Sequence, residues 1–342
     1  MPLSPRLRRG PLRPVSLLAV SETLFGFASP PFAHDEPPVS GEVRFSRFFS
    51  PAIGVHKGYL VYLPPSYARD SSRQYPVAYY LHGHGQDETA WVGDGRIDLV
   101  MDSLIAAGGP ELIVITPDGD DGRYTTWAEP VTYDACARNP HRRWAAEAPS
   151  AYCVRRPRYD EYIARDLVAH VDSSYRTLSH RQHRGIAGLS MGGYGAVALA
   201  LRYPEVFSAA ASHSGSLSPF YLGPHPYKEP ARYTSSVDSL VRRFGPEAAA
   251  IFGRDTSRWR SRDPAHLVRM LLRSHGQGLM PELYLDVGQR DHLINPNRDF
   301  HARLEELDIS HEYEERAGGH DWPYWQRNVR ESLQWLGDHL TR

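Results

Sequence analysis

The fold of this chain is decided by the stretch Arg184-Gly185-Ile186-Ala187-Gly188-Leu189-Ser190-Met191-Gly192-Gly193-Tyr194-Gly195. A short apolar run ends at Leu189, Ser190 follows, and small residues then lead into an alanine-rich segment, 196–202. This order predicts a strand, a sharp turn and a helix. The pattern Gly-x-Ser-x-Gly is typical of a nucleophile elbow, in which the tight turn lifts the serine above the sheet. Glycines suit the flanking positions because the strand and helix backbones pass too close for side chains.

Segments typical of strands and helices alternate on both sides of this stretch. Strands are predicted at 42–50, 58–63, 75–81, 111–116, 207–215 (a strand and its loop), 282–288 and 310–316. Helices are predicted at 96–107, 159–175, 296–307 and 322–336. The alternation predicts an α/β fold with a mostly parallel central sheet and helices on both faces. Residues 216–280 are predicted to be helices and loops that form a lid-like insertion over the active site.

Length and composition limit the class of protein. A chain of 342 residues with 41% hydrophobic and 23% charged residues is typical of a soluble globular protein of one large or two ordinary domains. The net charge of −1 gives no reason to expect nucleic acid or an anionic membrane as a partner. No stretch approaches the roughly 20 apolar residues that a membrane-spanning helix needs. We therefore expect a single catalytic domain over residues 41–342.

The first forty residues differ from the rest. Four arginines precede an apolar segment at 15–28, and a polar stretch follows it. This pattern resembles an export signal, although Glu22 interrupts the apolar segment. It favours a secreted or periplasmic protein over a cytoplasmic one. A disordered N-terminal extension, or a start codon placed too early, is the alternative.

Cys136 and Cys153 are the only cysteines, and both lie in a segment rich in arginine and proline. Their spacing closes a short loop, so a disulfide would stabilise this insertion in an exported protein. A pair of free or buried thiols is the alternative. A zinc site is not expected, because no paired histidine ligands lie near the two cysteines.

Ser190 needs a base and an acid from elsewhere in the chain, because a serine hydroxyl is a poor nucleophile until a neighbouring base accepts its proton. In enzymes with a nucleophile elbow the chain order is Ser, then Asp or Glu, then His. Asp291 directly follows a predicted strand and is the candidate acid, with a turn or helix-capping role as its alternative. Asp286 lies inside that strand and is expected to face a packing layer, and Asp321 is expected to point elsewhere.

The candidate base is His320, one of 17 histidines. It lies in a glycine-rich loop between the last predicted strand and the last predicted helix, where a side chain can reach over the sheet. His213 follows the next strand after the elbow and could line the pocket. His301 and His311 are expected to be surface or packing residues.

A nucleophilic serine that attacks a carbonyl group also needs two donors for the oxyanion. One candidate is the backbone N–H of Met191, directly after the nucleophile. The other lies in the turn 82–85, where the N–H of His84, or that of Gly83 if the turn is shifted, is the candidate. A metal site at His82 and His84 is the alternative, but the sequence places no further ligands near this pair. No metal or other cofactor is expected.

With these residues identified, the chain resembles the esterase family of α/β-hydrolases that includes feruloyl and acetyl-xylan esterases, esterase D-type enzymes and mycolyltransferases. The shared stretches occur in family order and are 61–67, Leu81-His82-Gly83, 115–119, 188–193 and 318–325. The resemblance covers about residues 45–335. It implies an α/β-hydrolase fold, a triad of Ser190, Asp291 and His320, and an oxyanion hole formed by the amides of His84 and Met191.

Two departures from the family matter. Esterase D-type enzymes usually have a cysteine shortly after the His-Gly turn, whereas this chain has His84-Gly85-Gln86. Enterochelin esterases carry a sizeable N-terminal domain, for which forty irregular residues are too few. The first departure argues against the esterase D-type subgroup, and the second argues against the enterochelin esterases.

Three functions remain open on this sequence. The first is a serine carboxylesterase that hydrolyses a small-molecule ester through a covalent acyl-enzyme. The second is an acyltransferase of the mycolyltransferase type, and the third is a non-catalytic binding protein on the same scaffold. Trp127, His213 and Trp322 are candidate substrate-binding residues, since aromatic side chains could stack on a phenolic acyl group or a sugar. Core packing is the alternative for each tryptophan.

Overall fold

An eight-stranded sheet organises the protein in the computed structural model, which describes residues 40–138 and 148–342. Its strands are β1 (Glu42–Ser50), β2 (Val55–Leu63), β3 (Val77–Leu81), β4 (Ile113–Pro117), β5 (Arg184–Leu189), β6 (Ala209–His213), β9 (Glu282–Gly288) and β10 (Glu312–Arg316). A separate two-stranded sheet contains β7 (Tyr221–Gly223) and β8 (Arg232–Tyr233). The order in the large sheet is β1-β2-β4-β3-β5-β6-β9-β10. Only the β1–β2 and β2–β4 pairs are antiparallel, so the sheet is mostly parallel, as predicted.

Helices connect these strands. They are α1 (Ser66–Arg69), α2 (Ala90–Gly93), α3 (Ile97–Ala106), α4 (Tyr133–Arg138), α5 (Pro149–Tyr152), α6 (Tyr159–Glu161), α7 (Val168–Ser174), α8 (Met191–Arg202), α9 (Val237–Phe244), α10 (Ala248–Phe252), α11 (Pro264–His275), α12 (Ile294–Glu305) and α13 (Trp322–Leu340). A π-helical turn, Tyr162–Leu167, joins α6 to α7, so the predicted helix 159–175 is continuous but irregular. Short 3₁₀ segments lie at Arg181–His183 and Thr256–Arg262. None of the helices in the described ranges is long and apolar enough to cross a membrane.

The central strands are buried on both faces. In β3 the side chains alternate between two apolar clusters: Val77, Tyr79 and Leu81 belong to one, and Ala78 and Tyr80 to the other. This alternation follows from the two-residue period of a strand. One cluster contains apolar side chains of α7, α8, α11 and α12, and the other contains those of α3 and α13. Helices therefore cover both faces, which explains why β3 reads as a continuous apolar run.

Residues 216–280 do not behave as one unit. A third apolar cluster joins α9, α10 and the 3₁₀ segment after them, and it is centred on Phe220, Phe252 and Trp259. The last helix of this stretch, α11, packs against α8 instead, and its Ala265 and Val268 belong to the cluster beneath the sheet. The part of the predicted insertion that is separate from the sheet core thus ends before α11.

Cys136 and Cys153 form a disulfide. Part of the loop that this disulfide closes, residues 139–147, lies outside the described residues, as does the predicted export signal or extension within residues 1–39. The bond resolves the choice between a disulfide and a free thiol pair in favour of the disulfide.

Candidate active site

The nucleophile elbow is formed by the junction of β5 and α8. Ser190 lies at the turn with φ 53° and ψ −111°, a strained conformation for a residue other than glycine. A Cβ at Gly188 would lie 2.5 Å from the carbonyl carbon of Gly192, and a Cβ at Gly192 would collide with the carbonyl oxygen of Leu81. The two glycines are therefore required by the close approach of strand and helix, as the sequence predicts.

Three side chains from separate loops meet at this turn. Nε2 of His320 lies 2.9 Å from Oγ of Ser190. On the other side of the ring, Nδ1 of His320 lies 2.9 Å and 3.1 Å from the two carboxylate oxygens of Asp291. The side chain of His320 is 21% exposed and that of Asp291 is fully buried. This geometry suits a nucleophile, a base and an orienting acid.

Sheet topology brings the acid and the base together. Strands β9 and β10 are parallel neighbours, and Arg316 at the end of β10 pairs with Gly288 at the end of β9. The loops that follow them, which carry Asp291 and His320, leave the same edge of the sheet. The amide of Arg290 donates to the carbonyl of Gly318 at 2.9 Å and ties the two loops to each other.

The electrostatics of Asp291 fit its place in this arrangement. Burial acts to raise the pKa of the Asp291 carboxyl, but the hydrogen bond from His320 and the amide of Leu293, which donates at 2.7 Å, outweigh it. The pKa of Asp291 is therefore held below its ordinary value, and the group is a carboxylate at neutral pH. An ionised acceptor at Nδ1 places the ring proton there and leaves the lone pair of Nε2 directed at Ser190.

Two further rings contact His320. The ring of His292 lies edge-on to it with centroids 4.5 Å apart, and the ring of Trp325 lies edge-on at 5.0 Å. Asp291, His292 and His320 are close enough to one another to hold a metal ion. Both ring nitrogens of His320, however, are within hydrogen-bond distance of triad partners, and this arrangement suits proton transfer more directly than metal binding.

The alternative of a metal at His82 and His84 does not fit the hydrogen bonding of His82. Nε2 of His82 accepts from the amide of Gly119 at 2.9 Å, so Nδ1 carries the proton and donates to the carbonyl of Gly83 at 2.8 Å. Both ring nitrogens of this buried histidine are used within the protein. Its role is to hold the turn 82–85 against the loop after β4.

The two residues predicted to donate to the oxyanion share a cavity with Ser190. His84, Ser190 and Met191 line one cavity of about 610 Å³. Met191 is the first residue of α8, so its N–H has no partner within the helix. Nδ1 of His84 lies 2.9 Å from the carboxylate of Asp121, which also accepts from the amide of Gly85 at 2.5 Å. These contacts fix the turn that presents the backbone of His84.

The three residues predicted to bind substrate do not line the cavity that contains Ser190. His213 is fully buried, with Nδ1 2.6 Å from Asp286 and Nε2 2.8 Å from Ser332, and it does not line the cavity. The expectation that it contacts substrate is therefore wrong, because Asp286 and Ser332 hold its side chain in the core. Trp127 packs between two apolar clusters and donates from Nε1 to the carbonyl of Gly122 at 3.0 Å. Trp322 packs edge-on against Trp91 and Trp325. Packing against apolar neighbours therefore accounts for the positions of Trp127 and Trp322.

The cavity wall comes largely from residues that the sequence analysis did not single out. It contains Arg123, Ser216, Tyr221, Leu222, His225, Arg243, Phe244, Gly245, His292, Leu293 and Pro296. Seven of these lie within 216–280, so this stretch does reach the active site. Arg123 follows β4 at the same edge of the sheet as Ser190, and this position is the one sequence signal that could have identified it.

The chain matches known proteins over most of its length. The family model described as Putative esterase matches residues 50–336. Esterase Rv1288 of Mycobacterium tuberculosis is 28% identical over 288 residues, which are 81% of this chain and 55% of that protein. The acetyl esterase of Caldicellulosiruptor saccharolyticus is 26% identical over 78% of this chain and 84% of its own length. This chain thus spans only about half the length of its mycobacterial relative.

Solved structures share the fold. A ferulic acid esterase superposes with a TM-score of 0.64 at 23% identity, covering 88% of this chain and 99% of the other. An S-formylglutathione hydrolase of Agrobacterium tumefaciens superposes with a TM-score of 0.64 at 19% identity, covering 89% and 98%. The predicted α/β-hydrolase fold is confirmed by these likenesses.

Proposed function

This chain belongs to the Putative esterase family, and from that premise we propose that it is a serine carboxylic-ester hydrolase acting through Ser190, His320 and Asp291. One observation carries the proposal. Oγ of Ser190, both nitrogens of the His320 ring and the carboxylate of Asp291 form a continuous chain with each step near 2.9 Å. A chain of these three groups converts a weak hydroxyl into a nucleophile for acyl transfer.

In the first half-reaction Oγ of Ser190 attacks the carbonyl carbon of the ester, and its proton passes to Nε2 of His320. The imidazolium that forms is stabilised by the ionised Asp291. When the tetrahedral intermediate collapses, the C–O bond to the alcohol breaks, and Nε2 returns the proton to the departing alkoxide. The products are the free alcohol and an ester between the acyl group and Ser190.

In the second half-reaction water replaces the alcohol. Nε2 of His320 takes a proton from the water while its oxygen attacks the acyl carbon. Collapse of this second intermediate breaks the bond to Oγ of Ser190, and the proton on Nε2 returns to that oxygen. The acid is released and the resting enzyme is restored.

The developing oxyanion needs donors that are already in position. We assign this role to the amides of Met191 and His84, because the first is an unsatisfied N–H at the start of α8 and the second lies on the turn held by Asp121. In enzymes of this kind, loss of one such donor costs about 10²–10³ in kcat. Backbone donors also explain why neither side chain needs to reach the substrate.

Hydrolysis of 4-nitrophenyl acetate and butyrate tests the proposal. We expect the wild-type protein to release 4-nitrophenol and S190A to lose at least about 10³-fold in kcat. The matched control is S274A, which removes the hydroxyl of Ser274, an exposed residue of α11, and we expect it to retain wild-type activity. Equal rates for S190A and S274A would overturn the assignment. Ester formation with an added alcohol would reveal the acyltransferase alternative.

A further inference from the structure

Two arginines reach the cavity that contains Ser190. Arg123 comes from the loop after β4, and Arg243 comes from the last turn of α9. Both guanidinium groups lie over the ring of Phe244. The guanidinium carbon of Arg123 lies 4.4 Å from the centre of this ring, and that of Arg243 lies 5.0 Å from it. The two cations are thus held around one aromatic side chain in the cavity wall.

Arg123 is held inward by its backbone. It has φ 52°, and the next residue, Tyr124, has φ 48°. Such conformations are unfavourable for a residue other than glycine and persist where the surrounding structure enforces them, often at functional sites. Arg123 is only 8% exposed, and it lines the same cavity as Ser190.

Neutral groups, not acids, contact both guanidinium groups. Nη2 of Arg123 donates to the carbonyl of Phe244 at 3.5 Å. Nη1 of Arg243, which is exposed at the mouth of the cavity, donates to the carbonyls of Pro219 and Tyr221 at 3.2 Å and 2.9 Å. Within the described part of the chain, no carboxylate oxygen lies within 4.0 Å of either guanidinium. Both arginines are therefore positioned by the protein without being neutralised by it.

The charge balance around Arg123 shows the consequence. Burial lowers the pKa of Arg123 to about 10, and the proximity of Arg243 acts in the same direction. Asp121 and Glu247 oppose this shift from a distance, but Asp121 is already engaged by His84 and by the amide of Gly85. A buried cation without a close counter-ion is costly. An anion in the cavity would remove that cost.

We propose that the substrates of this site are esters that carry a carboxylate, and that Arg123 and Arg243 bind this group while the ester carbonyl lies at Ser190. The planar fork of an arginine matches a carboxylate in two parallel hydrogen bonds, which a neutral ester cannot accept with the same strength. This inference rests on the proposed esterase function. It adds to that function a substrate class and two specificity-determining residues.

Matched ester pairs test the proposal. Mono-4-nitrophenyl succinate, with the carboxylate on the acyl side, is compared with its methyl ester, and 4-acetoxybenzoate, with the carboxylate on the alcohol side, is compared with methyl 4-acetoxybenzoate. We expect wild-type kcat/KM to favour the anionic member of one pair by about tenfold or more, and the favoured pair identifies the side that the arginines face. R123Q and R243Q should each remove most of that preference, so that the two members of the pair differ by about threefold or less. Salt screens exposed charges more than buried ones. Raising the salt from about 0.02 M to about 0.5 M should therefore reduce the wild-type preference for the anionic ester mainly through the exposed Arg243 and least through the buried Arg123.

The control variant is R242Q, since Arg242 is the exposed neighbour of Arg243 on the same helix and does not line the cavity. It should retain the wild-type preference. Equal kcat/KM within both ester pairs, or an unchanged preference in both R123Q and R243Q, would overturn the proposal. R243Q keeps the test valid if R123Q does not fold, because Arg243 is exposed and lies outside the strained loop.

A binding measurement separates this proposal from the esterase proposal. Calorimetry of S190A with monomethyl succinate needs no catalysis, and we expect S190A to bind it about tenfold or more tightly than the S190A/R123Q double variant does. Carboxylate binding that depends on Arg123, without any hydrolysis by the wild type, would support the anion site and refute the esterase. Hydrolysis of neutral esters, without binding of the carboxylate, would support the esterase and refute the anion site.

Discussion

The amide of Ser190 donates a hydrogen bond to the carbonyl of His213 at 2.9 Å. This bond links the proposed nucleophile to a second set of Asp, His and Ser side chains that lies in the core. His213 lies between Asp286 at 2.6 Å and Ser332 at 2.8 Å, and the hydroxyl of Tyr324 donates to the other oxygen of Asp286 at 2.8 Å. Every member of this network is fully buried, so it supports the position of Ser190 and has no access to substrate.

The first prediction concerns the stability that this network provides. S332A leaves Nε2 of His213 without its partner in a site that water does not reach. An unsatisfied buried polar group costs about 1–3 kcal/mol, so we expect the free energy of unfolding to fall by that amount. Urea denaturation of S332A beside S274A measures it, since Ser274 is exposed. An unfolding free energy equal to that of the control would refute the structural role.

The second prediction separates the two aspartates of these networks. D291N removes the charge that stabilises the His320 imidazolium and favours the wrong tautomer of the ring, so kcat for an ester should fall by about 10³–10⁴-fold. D286N affects the buried network instead and should lower the unfolding free energy by about 3 kcal/mol with a far smaller change in kcat. Steady-state kinetics and urea denaturation of both variants measure the contrast. A smaller loss of kcat in D291N than in D286N would reverse the assignment of the acid.

The third prediction is the form of the pH profile. The proposed mechanism needs an unprotonated base to accept the proton of Ser190, so kcat/KM should fall on acidification. The pKa of Asp291 is held below its ordinary value of about 3.9. Its carboxylate therefore stays ionised above about pH 5 and adds no second proton. The acid limb of log kcat/KM should therefore have a slope near 1. A slope near 2, or a flat profile, would contradict this account.

Asp291 also affects stability with a definite sign. Its folded pKa is depressed, so its contribution is present above the unfolded value of about 3.9 and is lost as pH falls through the folded pKa. D291N should therefore show a weaker loss of stability on acidification than the wild type. Thermal unfolding of both proteins across the acid range provides the comparison.

The last variant prediction concerns the disulfide between Cys136 and Cys153, which are 17 residues apart. In the chain-entropy account, a loop of this length contributes about 3 kcal/mol by restricting the unfolded chain. Reduction, or the C136S/C153S double variant, should lower the unfolding free energy by about that amount. If denaturation midpoints are unchanged by reductant, the cross-link does not contribute to global stability.

The sequence predicted the parts of the structure that depend on residue type, glycine spacing and chain order. The elbow at Ser190 follows from glycine spacing, and the pairing of Asp291 with His320 follows from loops that leave one edge of a parallel sheet. The continuous apolar run of β3 also predicted a strand buried on both faces. These features depend on residue type and chain order, which a sequence contains directly.

Features that depend on the direction of a side chain, or on packing of residues 216–280 against other loops, were not predictable in this way. His213 is expected in the loop after the strand that follows the elbow, but it is the last residue of β6 and has Asp286 as its register partner. This pair holds the imidazole in the core. The pairing of Arg123 with Arg243 around Phe244 joins the loop after β4 to α9, about 120 residues later. The sequence around Arg123 and Arg243 has no periodic pattern that predicts such a contact.

The central claim is that Ser190 is an activated nucleophile, and covalent labelling tests it most directly. The wild-type protein is treated with a fluorophosphonate, and the mass of the intact protein and of its peptides is measured beside S190A and H320Q. We expect one adduct per chain on Ser190 in the wild type, none in S190A, and much slower labelling in H320Q. A folded wild-type protein that remains unlabelled, or an adduct on another residue that persists in S190A, would contradict the account.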